Sequence, residues 1–212
     1  MKIFIIHYKK LKDRKKFILE QFEKHNITCY EFIEIDRDEL YNHNISMFQS
    51  NYNNSQIAIS LSHFYAYKQI SDKYENGLIF EDDVILSNNF TDILNKYMNE
   101  LPKDYDMLFI GNGCNFHIEE SKLIYNKNIY EKSLYPTSWG GNGATRCTDS
   151  YIVSKKCANK ICEYINNLKY KINLPIDWWL NVAARDNIFK VYWAEPTIVT
   201  QGTQNGLFTS SH

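Results

Sequence analysis

The chain has 212 residues, of which 44% are hydrophobic and 23% charged, with a formal net charge of −1. That length is enough to bury a substantial core, and the near-neutral balance gives no electrostatic footing for nucleic acid or for an anionic membrane surface. No apolar run approaches the roughly 20 residues of a membrane span, and the apolar opening after Met1 is too short for a secretory leader, so a cytoplasmic protein without a transmembrane segment is expected.

In chain order, residues 3–6 form a short apolar run that suits a buried parallel strand. Residues 11–25 have helical periodicity, with Phe17, Ile18 and Phe22 on the apolar face, and residues 29–33 read as a second strand. An Asn-rich stretch over 36–54 reads as loop with short helix. Residues 55–74 are again helical, with Ile57, Leu61, Phe64, Tyr65 and Ile70 at compatible spacings. A strand at 78–80 then delivers three consecutive acids, Glu81, Asp82 and Asp83, ahead of the apolar Val84, Ile85 and Leu86.

Residues 90–101 read as a helix closed by Pro102. A strand at 107–110 runs into the turn Gly111-Asn112-Gly113, and an irregular or hairpin excursion fills 114–135. Trp139-Gly140-Gly141-Asn142-Gly143 reads as a flexible loop. Residues 151–153 suit a strand, with Ser154 capping a helix that runs to about 167. Pro175 is well placed to start another helix at Ile176, a last strand is expected over 189–193, and a loop-like tail over 197–212. Strands alternating with helices, without a linker or charge block, predict one α/β domain over 1–212 with a largely parallel sheet. Ligands of such sheets bind beyond the carboxyl ends of the strands.

Glu81, Asp82 and Asp83 stand at such an end. Burying one unpaired carboxylate costs several kcal/mol, so the cluster calls for a cation. Mn²⁺ or Mg²⁺, hard ions with oxygen ligands that bridge to phosphates, are the natural partners. A solvated turn is the plain alternative. Five cysteines, Cys29, Cys114, Cys147, Cys157 and Cys162, are scattered without a CxxC pair. They read as free thiols in a reducing compartment rather than as a zinc site.

Ser55-Gln56-Ile57-Ala58-Ile59-Ser60-Leu61-Ser62-His63, followed by Leu78-Ile79-Phe80-Glu81-Asp82-Asp83-Val84, resembles the signature of glycosyltransferase family 25. That family contains bacterial lipooligosaccharide β-galactosyltransferases and collagen hydroxylysine galactosyltransferases. Asp13-Arg14 after the opening strand, the segment 149–158 and Pro175-Ile176-Asp177 are similar to further family segments in order and spacing. The likeness spans essentially the whole chain, and it departs from the family at His7-Tyr8, where Asn-Leu is usual.

The resemblance implies a GT-A-type nucleotide-sugar-binding fold, with a mixed, largely parallel sheet flanked by helices. It also implies a UDP-sugar donor and a divalent metal. The sugar expected is galactose, with glucose and N-acetylglucosamine as alternatives, and the acceptor a glycan or hydroxylysine hydroxyl. A lipid-linked acceptor would place the chain at a membrane surface. Glu81 would face the ribose, Asp83 would hold the metal, and Asp82 would support both. His63 would line the site, with a satisfied core or capping histidine as the plain alternative, and His7 and Tyr8 would stand near the base. Arg14 suits a phosphate because guanidinium pairs bidentately with phosphate oxygens, with a solvated place in the basic run 9–16 as its alternative.

Asp177 would be the general base of an inverting transfer, with Asp149 as the competing base; a helix-capping role for Asp177 stands beside this reading. His212, the one histidine after residue 117, reads as a terminal remnant more than as a metal ligand. Trp178 and Trp179 could stack on a sugar, although neighbouring helix positions do not share a face, so one of them should be core. Phosphoryl transfer lacks both a P-loop and a nucleophilic Asp after the first strand. A non-catalytic or hydrolysis-only nucleotide-sugar-binding protein of the same fold is the alternative reading.

Overall fold

The computed structural model describes residues 1–141 and 143–209. His212 and Asn142 lie outside the described residues.

A seven-stranded sheet runs through the molecule in the order β2-β1-β3-β7-β5-β8-β6. Its strands are β1 (Lys2–Ile6), β2 (Tyr30–Ile33), β3 (Asn76–Glu81), β5 (Met107–Phe109), β6 (Ile129–Glu131), β7 (Ser150–Ser154) and β8 (Val191–Ala194). A separate pair joins β4 (Val84–Leu86) to β9 (Val199–Gln201). The helices are α1 (Lys12–Lys24), α2 (Asn54–Lys73), α3 (Phe90–Glu100), α4 (Lys155–Asn166) and α5 (Ile176–Asn187).

Successive side chains on a strand point to opposite faces, and here both faces are covered. Ile3 and Ile5 of β1, with Leu78 and Phe80 of β3, join a buried cluster that includes Ile18 and Phe22 of α1 and Phe90 and Leu94 of α3. Phe4 and Ile79 point the other way, into a cluster with Ala66, Tyr67 and Ile70 of α2, Ile161 of α4 and Leu180 of α5. Two covered faces explain why these strands are apolar along their whole length instead of alternating with polar residues.

The sheet is mixed, as expected, but parallel pairing is less dominant than the sequence suggests. β1 runs parallel to β2 and β3, and β5 to β8, whereas β7 is antiparallel to both β3 and β5, and β6 to β8. The reversal of β7 positions the site. It sets Ser150 opposite Phe80, so the amino end of β7 meets the carboxyl end of β3, and Glu81 donates its backbone N–H to the Asp149 carbonyl at 2.9 Å.

Helix starts follow their capping residues. Asn53 accepts from the Ser55 N–H at the head of α2 (2.7 Å), and Ser154 from the Cys157 N–H at the head of α4 (3.2 Å). Two expectations need correction. The tail is not simply loop, because β9 pairs with β4 and the Gly202 N–H donates to the Asp83 carbonyl at 2.6 Å. The Trp139 loop is packed rather than loose: Trp139 meets Trp193 edge-on at 5.7 Å, with the Lys132 ammonium 4.7 Å from its ring.

Candidate active site

β1 and β3 are parallel neighbours with Ile6 level with Glu81, so His7, Tyr8 and the acidic triplet emerge at one edge. They line a cavity together with Arg14 of α1, Ser55, Ala58, Ile59 and Ser62 of α2, Arg37, and Gln201 and Thr203 of the tail.

The three acids of the triplet have three environments. Asp82 is compensated inside the protein, because its carboxylate accepts from Arg14 Nη1 at 2.7 Å and contacts His7 Nδ1 at 2.8 Å. Asp83 accepts from both the hydroxyl and the backbone N–H of Thr203 through Oδ2, while its Oδ1 is buried without a partner. Glu81 accepts from the Thr148 hydroxyl at 2.9 Å. Burial, followed by the charges of Asp83 and Asp149, pushes its carboxyl up to about 8.

Asp149 completes the cluster. It is fully enclosed, accepts from the Ser150 hydroxyl at 2.8 Å through Oδ2, and leaves Oδ1 without a partner. Burial, with a further push from Asp83, raises its carboxyl to about 7. Glu81, Asp83 and Asp149 therefore converge with little positive charge to balance them, since Arg14 is engaged by Asp82.

That convergence gives a test of whether a divalent ion fits. The donor atoms are hard carboxylate oxygens, two of them buried and unpartnered, as Mn²⁺ or Mg²⁺ require. Among the described residues no group of three or more His, Cys, Asp and Glu side chains is arranged to hold a metal. The set therefore suits an ion held by one or two carboxylates and completed by substrate phosphates and water. It does not suit a closed structural site.

The remaining expected residues fall at different depths. Arg14 lines the cavity, and its guanidinium also donates to the Thr209 carbonyl at 2.7 Å, so two of its five N–H groups are already engaged within the protein. His63 lies behind the cavity wall, fully buried, and contacts the Tyr151 hydroxyl at 2.8 Å through Nδ1. That hydroxyl is 2.6 Å from the Tyr67 hydroxyl. His63 Nε2 faces Glu81 Oε1 at 3.9 Å, and burial holds its imidazole down to about 3, so it stays neutral. It backs Glu81 and leaves the cavity surface to Ser62.

Asp177 stands apart from the acid cluster, in the first turn of α5. Its Oδ1 accepts from the Trp178 N–H at 2.9 Å, and burial raises its carboxyl above the ordinary value. It is half-buried where Asp149 is enclosed. Trp179 is core and Trp178 is 49% exposed, which leaves one ring of the pair free to face a ligand.

Sequence reasoning missed Thr203, Arg37 and Tyr151. Thr203 arrives only because β9 returns along β4. Arg37 places its guanidinium 4.1 Å from the Tyr8 ring and donates to the Ser55 hydroxyl at 2.7 Å, a contact between distant segments that no local pattern announces. Tyr151 reads locally as a core strand residue, and its hydroxyl partner comes from α2.

Comparison with known proteins bears on the family and the fold. Residues 1–180 match glycosyltransferase family 25, described as LPS biosynthesis proteins. The chain is 23% identical over 146 residues to the procollagen lysyl hydroxylase and glycosyltransferase of Acanthamoeba polyphaga mimivirus, covering 64% of this chain and 14% of that protein. It is 28% identical over 146 residues to R655 of the same virus, whose name marks it as a glycosyltransferase, covering 62% and 42%. The chain thus spans less than half the length of either relative. A glycosyltransferase involved in glycosylation of the major capsid of PBCV-1 superposes with a TM-score of 0.52 at 11% identity, over 95% of this chain and 94% of that one. The fold is of the GT-A type.

Proposed function

The chain belongs to glycosyltransferase family 25, and on that premise we propose that it transfers a hexose from a UDP-sugar to a hydroxyl of a glycan or of hydroxylysine, with inversion. The observation that carries this reading is the convergence of Glu81, Asp83 and Asp149 at the carboxyl edge of β3, where Asp83 Oδ1 and Asp149 Oδ1 are buried without a hydrogen-bond partner and the raised carboxyls of Glu81 and Asp149 register the crowding of like charge. Carboxyls so placed hold on to their protons, and a positive charge brought among them would favour their ionised forms. A divalent ion bound with the donor diphosphate would supply that charge.

Asp83, with Oδ1 buried and unpartnered, would hold the ion, which neutralises charge on the departing diphosphate. Thr203 fixes the Asp83 carboxylate through Oδ2 and so leaves Oδ1 for that task. Glu81 would take the ribose side, oriented by Thr148 in front and by His63 behind. Asp82, held by Arg14 and His7, keeps the turn in place. Tyr8 and Arg37 border the cavity where the base would lie.

In the transfer itself, the acceptor oxygen attacks the anomeric carbon from the face opposite UDP. The bond from that carbon to the β-phosphate oxygen breaks, and UDP departs with the electron pair. The acceptor proton passes to Asp177, whose carboxyl is raised by burial and so makes a better base. Asp149, the competing base, is fully enclosed where Asp177 is half-buried, which favours Asp177 for meeting an acceptor. Galactose is the first donor to test, by analogy with the family, ahead of glucose and N-acetylglucosamine.

The test is UDP release from these three donors with Mn²⁺, in the presence of a lactose-type glycan or a hydroxylysine peptide. Acceptor-stimulated release from at least one donor is expected. Release that no acceptor increases would favour the hydrolysis-only alternative, and no release at all would favour a binding protein.

A further inference from the structure

Two of the five cysteines, far apart in sequence, meet in space. Cys114 and Cys147 are separated by 33 positions, yet their sulfurs are 3.0 Å apart. Both residues have left-handed backbone conformations, φ 54° and 56°, which are uncommon outside glycine. The two bends turn the side chains toward each other.

The segments that carry them are held together independently of the sulfurs. Arg146, buried next to Cys147, donates to the carbonyls of Gly111 (3.1 Å) and Ala194 (3.0 Å) and pairs with Glu195. Gly113, next to Cys114, lies so close to the other segment that a Cβ there would come within 2.5 Å of the Arg146 carbonyl and 2.7 Å of Cys147 Cβ. Among the described residues Cys29, Cys157 and Cys162 make no such approach, and Cys157 is buried.

We propose that Cys114 and Cys147 form a reversible disulfide that clamps segment 111–114 to segment 146–149, under the enclosed Asp149. This is a modification site and stands whether or not the transfer reading holds. A bond of about 2.05 Å requires the sulfurs to close by roughly 1 Å, a movement that side-chain rotation about two bent backbones can supply.

Cys114 is the exposed member, so an oxidant meets it first. With glutathione disulfide as the oxidant, the Cys114 thiolate attacks one glutathione sulfur and expels the other glutathione as a thiolate. Cys147 then attacks the Cys114 sulfur and releases the second. Two protein thiols become one disulfide, glutathione disulfide becomes two glutathione thiols, and the two protons go to them.

The experiment uses the full chain, reduced and desalted, then exposed to glutathione disulfide, alkylated under denaturing conditions and mapped by mass spectrometry. The expected result is a peptide pair cross-linked through Cys114 and Cys147, with Cys29, Cys157 and Cys162 not cross-linked to each other. Dithiothreitol should reverse it. Thermal unfolding of the oxidised protein should occur higher than that of the reduced one, by on the order of 5–10 °C, and the Cys114→Ser variant should show no such rise. Alkylation of both cysteines after oxidation, or a separate glutathione adduct on each, overturns the disulfide. A cross-link without a rise in the unfolding temperature overturns the clamp.

Discussion

Arg14 Nη1 lies 2.7 Å from Asp82 Oδ1, and neither side chain exposes more than 8% of its surface. The middle acid of the triplet is thus neutralised within the protein, unlike its two neighbours. Removing one partner of a buried ion pair strands the other charge, at a cost of about 3–5 kcal/mol. Arg14→Ala should therefore lower unfolding stability in urea by that amount. The double change Arg14→Met with Asp82→Leu should cost less than the single one. A loss below about 1 kcal/mol in Arg14→Ala would show that the pair is not structural.

Gly111 gives a purely steric prediction. A Cβ there would fall 2.1 Å from Asp149 Oδ2 and 2.2 Å from the Ser150 hydroxyl, so Gly111→Ala must displace the floor of the acid cluster. Overpacking of this kind costs about 1–3 kcal/mol. Urea unfolding should show that loss, and a variant as stable as the parent would mean that the floor can yield.

His63 makes stability depend on pH. Its imidazole is held down to about 3 in the folded protein against an ordinary 6.5, so between those values the unfolded chain binds a proton that the folded one refuses. The stability this represents is fully present above about 6.5 and is lost as pH falls toward 3. Glu81, which faces His63, and Asp149, raised to about 8 and about 7, act in the opposite sense: their contribution to stability grows as pH falls through those values. A comparison of wild type with His63→Gln isolates the imidazole. The wild-type urea midpoint should fall more steeply between pH 6.5 and 5 than that of the variant, and equal slopes would contradict a buried neutral His63.

A general-base role for Asp177 predicts that donor binding and transfer can be separated by mutation. Asp177→Asn preserves shape and removes the base, so transfer should fall roughly 10²–10⁴-fold while UDP affinity stays within a few-fold. Asparagine caps a helix about as well as aspartate, so a carboxylate that merely serves the first turn of α5 predicts transfer almost unchanged. Calorimetry beside a transfer assay on the same variant distinguishes the two.

Much of this was legible locally. The apolar runs of β1, β3 and β7, the Ser154 cap and the start of α5 after Pro175 are written in short stretches of sequence. The acidic triplet announced its site because three carboxylates after an apolar strand have few inexpensive places to go. What local patterns do not encode is pairing at a distance. The antiparallel entry of β7 brings Asp149 beside Glu81, and β9 carries Thr203 back to Asp83; both depend on register between segments far apart in the chain. His63 shows the same limit: the periodicity of residues 55–74 gives its helix, but its depth depends on Tyr151 approaching from another strand.

The carboxylates at the end of β3 should take a nucleoside diphosphate together with a divalent ion. Calorimetric titration of UDP tests it most directly, with wild type and Asp83→Asn each measured in Mn²⁺ and in excess EDTA. Wild type should bind UDP in Mn²⁺ and lose at least about tenfold in affinity in EDTA, the equivalent of about 1.4 kcal/mol. Asp83→Asn should bind weakly in both conditions while remaining folded by circular dichroism. Equal affinity in all four titrations would contradict the account.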